Sequence, residues 1–279
     1  MQRMLACCLM AVALSKIDVF AQDISPTIDV EKLAKIVLPS GLQTRVVGGH
    51  VTTNAKLGGY LIALYYQKDF ICGGTLLNEL IVLTAAHCFL GRPKTGGWLA
   101  SGGISRLGEK GIERQVKSFI MSAQFRESDM NMDVAIVRLK SPMKGKNIGK
   151  LSLCTTNLKS GLELVVSGWG MTDSRGNGPE QLLRTITVPI IEKKKCRAAY
   201  RPGVNLTDSM FCASVLGRKD ACTYDSGGPL VYKNQVCGIV SYGIGCASRR
   251  YPGVYTDVNY VKPFIEKSMN VLLSRRSRY

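Results

Sequence analysis

One serine constrains this chain more than any other residue. Ser226 stands in Cys222-Thr223-Tyr224-Asp225-Ser226-Gly227-Gly228-Pro229-Leu230, between an acid and two glycines and close to a cysteine. That pattern reads as a nucleophile on a tight backbone turn. A serine hydroxyl is a weak nucleophile by itself and needs a base to take its proton. The base in turn needs a carboxylate that fixes its tautomer and stabilises the imidazolium. The fold must therefore carry segments that are remote in sequence to the same crevice.

The chain offers only two histidines, His50 and His87. His50 follows a Gly-Gly turn and has no framing of small residues. His87 lies in Leu83-Thr84-Ala85-Ala86-His87-Cys88, where alanines let other segments approach closely. Asp133 heads the apolar run Asp133-Val134-Ala135-Ile136-Val137. Taken singly, His87 reads as a core histidine, Asp133 as a turn acid and Ser226 as a loop serine. Taken together, in the order His, Asp, Ser and with that framing, they point to a nucleophilic triad.

With Arg45-Val46-Val47-Gly48-Gly49, Ser167-Gly168-Trp169-Gly170, Ser241-Tyr242-Gly243 and Tyr251-Pro252-Gly253-Val254-Tyr255, these segments resemble the trypsin/chymotrypsin family of serine proteases. The short loops and Gly108-Glu109-Lys110-Gly111-Ile112 resemble insect secreted trypsins. The resemblance runs from residue 46 to near residue 260. It implies an all-β fold of two antiparallel six-stranded Greek-key barrels with a C-terminal helix. The first barrel is expected at about 46–148, the second at about 149–258 and the helix at about 260–273, all within a protease domain of 46–279. Residues 140–146 are expected to cross between the barrels, and residues 191–200 to form a short charged helix. Phe264, Ile265 and Leu272 are expected to pack the terminal helix. Trp169 reads as packing.

The leader supports an extracellular route. Arg3 precedes the apolar run Met4 to Leu14, which reads as a signal peptide over 1–21 cleaved after Ala21, with Ser15 as the alternative. No run of about 18 or more apolar residues suggests a membrane span. Residues 22–45 read as a pro-segment. By resemblance, cleavage after Arg45 frees a Val46 ammonium that pairs with Asp225. Cys7 and Cys8 leave with the signal, and eight cysteines remain. The resemblance pairs Cys72 with Cys88, Cys196 with Cys212, and Cys222 with Cys246. Elimination then pairs Cys154 with Cys237; the rival is two free buried thiols. The family often bridges the positions of Leu164 and Tyr232, neither of which is cysteine here.

By the same resemblance, Asp220 is the acid at the floor of the substrate pocket, Gly243 and Gly253 are its walls, and Ser241 braces Asp133. A buried carboxylate in a narrow slot demands Arg or Lys before the scissile bond. Ala221 stands where a serine is common, so a lysine ammonium loses one hydrogen-bond partner while an arginine fork still contacts the acid directly. Tyr242 replaces a more usual tryptophan. The amides of Tyr224 and Ser226 are expected to form the oxyanion hole, and Tyr224 departs from the glycine usual there. An intact hole implies a selective protease with a crowded leaving-group side. A flipped peptide implies a weak or inactive homologue acting as a regulatory binding protein.

The net charge is +17, and +16 beyond Arg45, because the leader through Arg45 holds five basic and four acidic residues. Such a field favours anionic surfaces. The densest clusters are Lys193-Lys194-Lys195 and Arg275-Arg276-Ser277-Arg278. The expected partners are protein or peptide substrates with Arg or Lys, an upstream activating protease and protein inhibitors. Neither nucleic acid nor a further subunit is expected. No cofactor and no metal is expected, since Glu109 and Glu113 are the only acids of the loop 102–114. Asn205-Leu206-Thr207 is a glycosylation sequon.

Overall fold

The computed structural model of the chain describes residues 49–170, 178–201, 203–221 and 224–274. A two-residue strand, β1 (His50–Val51), and a single helical turn, α1 (Asn54–Leu57), open it. Then come β2 (Leu61–Tyr66), β3 (Asp69–Asn78), β4 (Ile81–Thr84), β5 (Trp98–Gly102), β6 (Ile112–Met121) and β7 (Ala135–Leu139). These six close on themselves in the order β2-β3-β4-β7-β6-β5 with antiparallel pairing throughout. Closure removes the exposed edges that an open sheet would present. Register shifts at Leu64/Tyr65, Leu76/Asn78 and Val116/Ser118 mark bulges, which bend strands enough for a small barrel.

The second half supplies β8 (Ser152–Leu153), β9 (Glu163–Gly168), β10 (Arg184–Ile191), α2 (Lys193–Tyr200), β11 (Met210–Ala213), β12 (Pro229–Tyr232), β13 (Gln235–Tyr242), β14 (Val254–Asp257) and α3 (Val258–Ser274). A second six-stranded antiparallel barrel runs β9-β10-β11-β14-β13-β12, and β12 pairs back to β9. β1 lies on β10, and β8 runs parallel to β13, outside the six.

The barrels fill with aliphatic side chains. Leu61, Ile62, Leu64, Ile81, Leu83 and Ile136 are fully buried in the first. Each such side chain contributes about 1.5–3 kcal/mol relative to exposure. Trp169 is fully buried where the barrels meet, with its ring against Phe70 and its indole N–H on the Ser105 carbonyl at 3.4 Å.

Helix limits differ from the sequence expectation for local reasons. Ile191 remains in β10, paired with Cys212, so α2 starts at Lys193. The terminal helix begins earlier, at Val258, because the Asp257 carboxylate accepts from the Asn259 amide at 2.9 Å and satisfies an end donor. Val258, Val261, Ile265, Ser268 and Leu272 form its buried stripe, while Phe264 is half-buried. The crossing between barrels also falls later. The Leu151 amide still bonds Leu76 of β3, and Ser152 is the first residue on the second barrel.

Disulfides staple Cys72 of β3 to Cys88, Cys196 of α2 to Cys212 of β11, and Cys154 to Cys237 of β13. The free-thiol alternative for Cys154 and Cys237 is thereby excluded. Cys246 is disulfide-bonded, and its expected partner Cys222 lies outside the described residues. Cys154 and Cys237 are fully buried and 83 residues apart, so their bond closes a long loop. Replacing both by alanine should lower stability by about 2–5 kcal/mol in denaturant titrations under non-reducing conditions.

Candidate active site

The site is built from turns at the ends of strands. β4 ends at Thr84, and the buried Ala85 and Ala86 lead into a single 3-10 turn over His87–Phe89. The Cys72–Cys88 bond pins this turn to β3. Asp133 lies two residues before β7 and is fully buried. Its Oδ1 accepts from the His87 amide at 2.9 Å, and its Oδ2 lies 2.8 Å from His87 Nδ1. The Ser241 hydroxyl, at the end of β13, donates to the same Oδ2 at 2.6 Å. Burial pushes the Asp133 pKa up, but the charge of His87 and the hydrogen bonds from its ring, from Ser241 and from the His87 amide outweigh it. The carboxyl is held below its ordinary 3.8.

Ser226 occupies a tight turn closed by the Gly228 amide on the Asp225 carbonyl at 2.9 Å. Gly227 is left-handed there, with φ of 76°. A β-carbon on Gly227 would lie 2.2 Å from Thr84 Oγ1 and 2.6 Å from the Gly73 carbonyl, so no side chain fits. The Gly73 amide donates to the Ser226 carbonyl at 2.8 Å, and the Gly227 amide to the Val240 carbonyl at 2.8 Å. These contacts set the serine turn against the backbone just before His87, and beside the residue preceding Ser241. Among the described residues the His87 ring bonds Asp133, and the Ser226 hydroxyl has no hydrogen bond of its own.

Tyr224 has φ of 75°, in the left-handed region that glycine occupies freely. Asp225 is buried beneath the turn and accepts from the Gly170 amide at 2.8 Å. A β-carbon at Gly168 or Gly170 would approach its carboxylate oxygens to about 2 Å, so Ser-Gly-Trp-Gly is a cradle for this acid.

Asp220 is 1% exposed, and its Oδ1 has no hydrogen-bond partner. Burial drives its pKa well up; the amides of Ala221, Ala247 and Gly253 oppose this, and the Asp225 charge adds to it. A β-carbon on Gly253 would fall 2.4 Å from Oδ1, whereas one on Gly243 meets nothing nearer than the Gly253 Cα at 3.8 Å. The two glycines therefore face each other beside the acid. The Tyr255 hydroxyl, also without a partner, lies close by, 3.1 Å from that Gly253 position. Ala221 is partly buried and packs on the core.

Several supports had no signal in the sequence. Thr84 donates to the Gly73 carbonyl at 2.8 Å, and Thr256 donates to the Asp133 carbonyl at 2.9 Å. Ser209 accepts from the Met132 amide at 3.1 Å, holding the left-handed Met132 (φ 53°) that turns the chain into Asp133. Tyr200, Tyr242 and Tyr251 form an aromatic cluster beside the pocket, and the Tyr200 hydroxyl donates to the Pro252 carbonyl at 2.5 Å. Thr and Ser at such positions read as ordinary strand or loop residues until their partners are known.

Other sequence candidates fall elsewhere. Arg45, Val46, Cys222 and residues 275–278 lie outside the described residues. Asn205 is exposed at a surface cleft of about 410 Å³. Glu109 caps its own loop, accepting from the Ser105 and Arg106 amides at 2.9 and 3.0 Å. Cys72, His87 and Cys88 cluster tightly enough to suggest a metal, but both sulfurs are spent in a disulfide.

A family model described as Trypsin matches residues 46–265. Seminase of Drosophila melanogaster is 70% identical over 249 residues, which span 89% of this chain and 90% of that protein. Trypsin eta of the same species is 35% identical, covering 80% of this chain and 88% of its own length. Human trypsin-3 is 36% identical, covering 83% of this chain and 75% of its own length.

The depressed pKa of Asp133 links folding to acid. Its contribution is fully present above the ordinary carboxylate value and is lost as pH falls through the lower folded value. Asp133→Asn should therefore flatten the acid limb of the stability profile, as read by urea midpoints between neutral pH and about pH 3. Gly227→Ala should destabilise the fold by more than about 1–3 kcal/mol, from the left-handed φ and the clash together, measured the same way.

Proposed function

The chain belongs to the trypsin family of serine proteases, and from that premise we propose that it is a secreted zymogen of a trypsin-like endopeptidase. On this reading cleavage after Arg45 activates it, and the mature enzyme cuts after Arg, and less readily after Lys, through an acyl-enzyme. His87 Nε2 takes the Ser226 proton as Oγ attacks the scissile carbonyl. Asp133 holds the ring tautomer and stabilises the imidazolium. The amides of Tyr224 and Ser226 bind the developing oxyanion. The imidazolium then gives its proton to the leaving amine, the C–N bond breaks, and water repeats the sequence on the ester. Apo enzymes commonly keep the nucleophile and base loosely paired until substrate closes the site, which fits the unbonded Ser226 hydroxyl.

One observation carries the specificity: Asp220 is buried, its Oδ1 lacks a partner, and the slot beside it is walled by Gly243 and Gly253. A lone buried charge is costly, and a guanidinium that supplies two hydrogen bonds removes that cost. Val46, released by cleavage, supplies the ammonium that joins Asp225 in its glycine cradle and stiffens the pocket. The partners on this reading are peptide segments bearing Arg or Lys, an activating protease acting at Arg45, and protein inhibitors.

A second reading, a weak homologue that binds rather than cuts, rests on the bulk and strain of the tyrosine at 224, although its left-handed backbone is the one glycine supplies at this position. A tyrosine held at φ of 75° costs roughly 1–3 kcal/mol, and losing the hole's donor would cost about 10²–10³ in turnover. Hydrolysis of an Arg-amide peptide by the processed protein separates the two. We expect turnover that falls by about 10⁴–10⁶ in Ser226→Ala. Turnover equal to that variant's in the processed wild type, restored by Tyr224→Gly, would establish the weak homologue instead.

Matched Arg and Lys peptides should differ roughly tenfold in kcat/KM, the value of about one hydrogen bond to a charged group. Equal rates would sink the Arg preference. The raised pKa of Asp220 adds a pH test. An amidinium such as benzamidine binds the ionised acid, so its binding should expel a proton at pH values below the free-enzyme pKa of Asp220. Its inhibition constant should rise as pH falls through that range, and Asp220→Ser should abolish both effects.

A further inference from the structure

Some surface cations of this protein have a carboxylate beside them. Lys193 and Arg197 share Asp208, Lys195 lies near Glu192, Lys144 meets Glu79 and Arg126 meets Asp129. Arg218, Lys219, Arg249 and Arg250 make no ion pair among the described residues, and they stand on two adjoining loops. The reason lies in the sequence around them. Between residues 209 and 256 the only acids are Asp220 and Asp225, both at most 2% exposed. Neither reaches the surface, so this stretch of chain supplies no exposed acid to offset the four cations.

The two loops that carry them are fastened together. The Val215 and Lys219 backbones exchange hydrogen bonds of 2.8 Å, and the Gly217 amide reaches across to the Ser248 carbonyl at 3.1 Å. A β-carbon on Gly217 would lie 3.0 Å from Arg249 Cγ, so the arginine stem crosses the glycine. Ser248 Oγ accepts from the Arg250 and Tyr251 amides at 3.1 and 3.0 Å, and the Arg250 guanidinium lies 5.1 Å from the Tyr251 ring centre. Charges mounted on such a frame lose less entropy on binding than charges on mobile stems. Leu216, in the same turn, is 46% exposed among the cations.

We propose that the surface formed by Leu216, Arg218, Lys219, Arg249 and Arg250 docks an acidic polypeptide segment, its carboxylates on the guanidinium groups and an apolar side chain on Leu216. Guanidinium forks match carboxylates in a bidentate manner, and an exposed leucine between them gives a polypeptide a contact that a polysaccharide lacks. Electrostatic attraction of this kind acts over about a Debye length, ~10 Å at 0.1 M salt. The chain segments that carry this surface also supply the Ala221 and Ala247 amides that face Asp220.

The test uses the full catalytic chain and a labelled synthetic peptide of alternating glutamate and leucine, which offers no basic residue for cleavage. Binding should weaken with salt and fall at least about tenfold in Arg218→Glu/Arg249→Glu. The milder Arg218→Gln/Arg249→Gln variant should show a smaller loss in the same direction, and either variant that still hydrolyses an Arg-amide is folded. Leu216→Ser should weaken the peptide severalfold while leaving retention on heparin unchanged. The same reversal placed on Lys193 and Lys194 should have little effect. The proposal is overturned if the peptide binds the loop variants as well as it binds wild type. Equal loss from reversal at Lys193 and Lys194, or binding of heparin without binding of the peptide, would also overturn it.

Discussion

The buried pairing of Asp133 with His87 is the contact on which the rest of the site depends. A carboxylate with no exposure survives only if its oxygens are fully engaged, and here they accept from a histidine amide, a histidine ring and a serine hydroxyl. Those donors come from both barrels: His87 follows β4 and Ser241 is the next-to-last residue of β13. Satisfying one acid therefore locks the two halves of the molecule in a single relative position. Thr256 on the Asp133 carbonyl and Ser209 on the Met132 amide extend the same tie across the boundary.

The second constraint is room. The serine turn can approach β3 and β4 only because Gly73 and Gly227 carry no side chains there. Gly168 and Gly170 do the same for Asp225, and Gly253 for Asp220. Tyr224 is the exception, a bulky residue in the backbone conformation glycine prefers. The strain persists because the neighbouring turn is fixed from several sides at once, by the Gly73 and Val240 backbones and by the buried Asp225. A conformation that costs energy locally is kept when the surrounding contacts leave no alternative.

The three buried acids differ in what surrounds them, and that difference separates their roles. Asp133 is saturated by donors and stays ionised. Asp225 lies in a cradle of glycines with an amide on its carboxylate. Asp220 keeps one oxygen without a partner and has its pKa driven up. On the proposed reading the first orients a base, the second holds the serine turn and the third receives a cation.

The segments around His87, Asp133 and Ser226 stood out in the linear chain by their framing, and the structure bonds His87 to Asp133 and sets the Ser226 turn against Gly73 and Thr84. The glycines of the cradle and the pocket were legible for a related reason: close backbone approach leaves a compositional trace. The terminal helix was readable from its apolar stripe, though its start at Val258 was not, since that depends on the Asp257 cap. What the chain alone could not express were relations between residues far apart: Thr256 on Asp133, Ser209 on Met132, and four cations in two loops brought together by the Gly217–Ser248 bond. Residue chemistry is written locally, so the sequence by itself determined which groups are present and how each segment turns. Distances, burial and the absence of a partner are properties of pairs, and only the closing of the two barrels decided those.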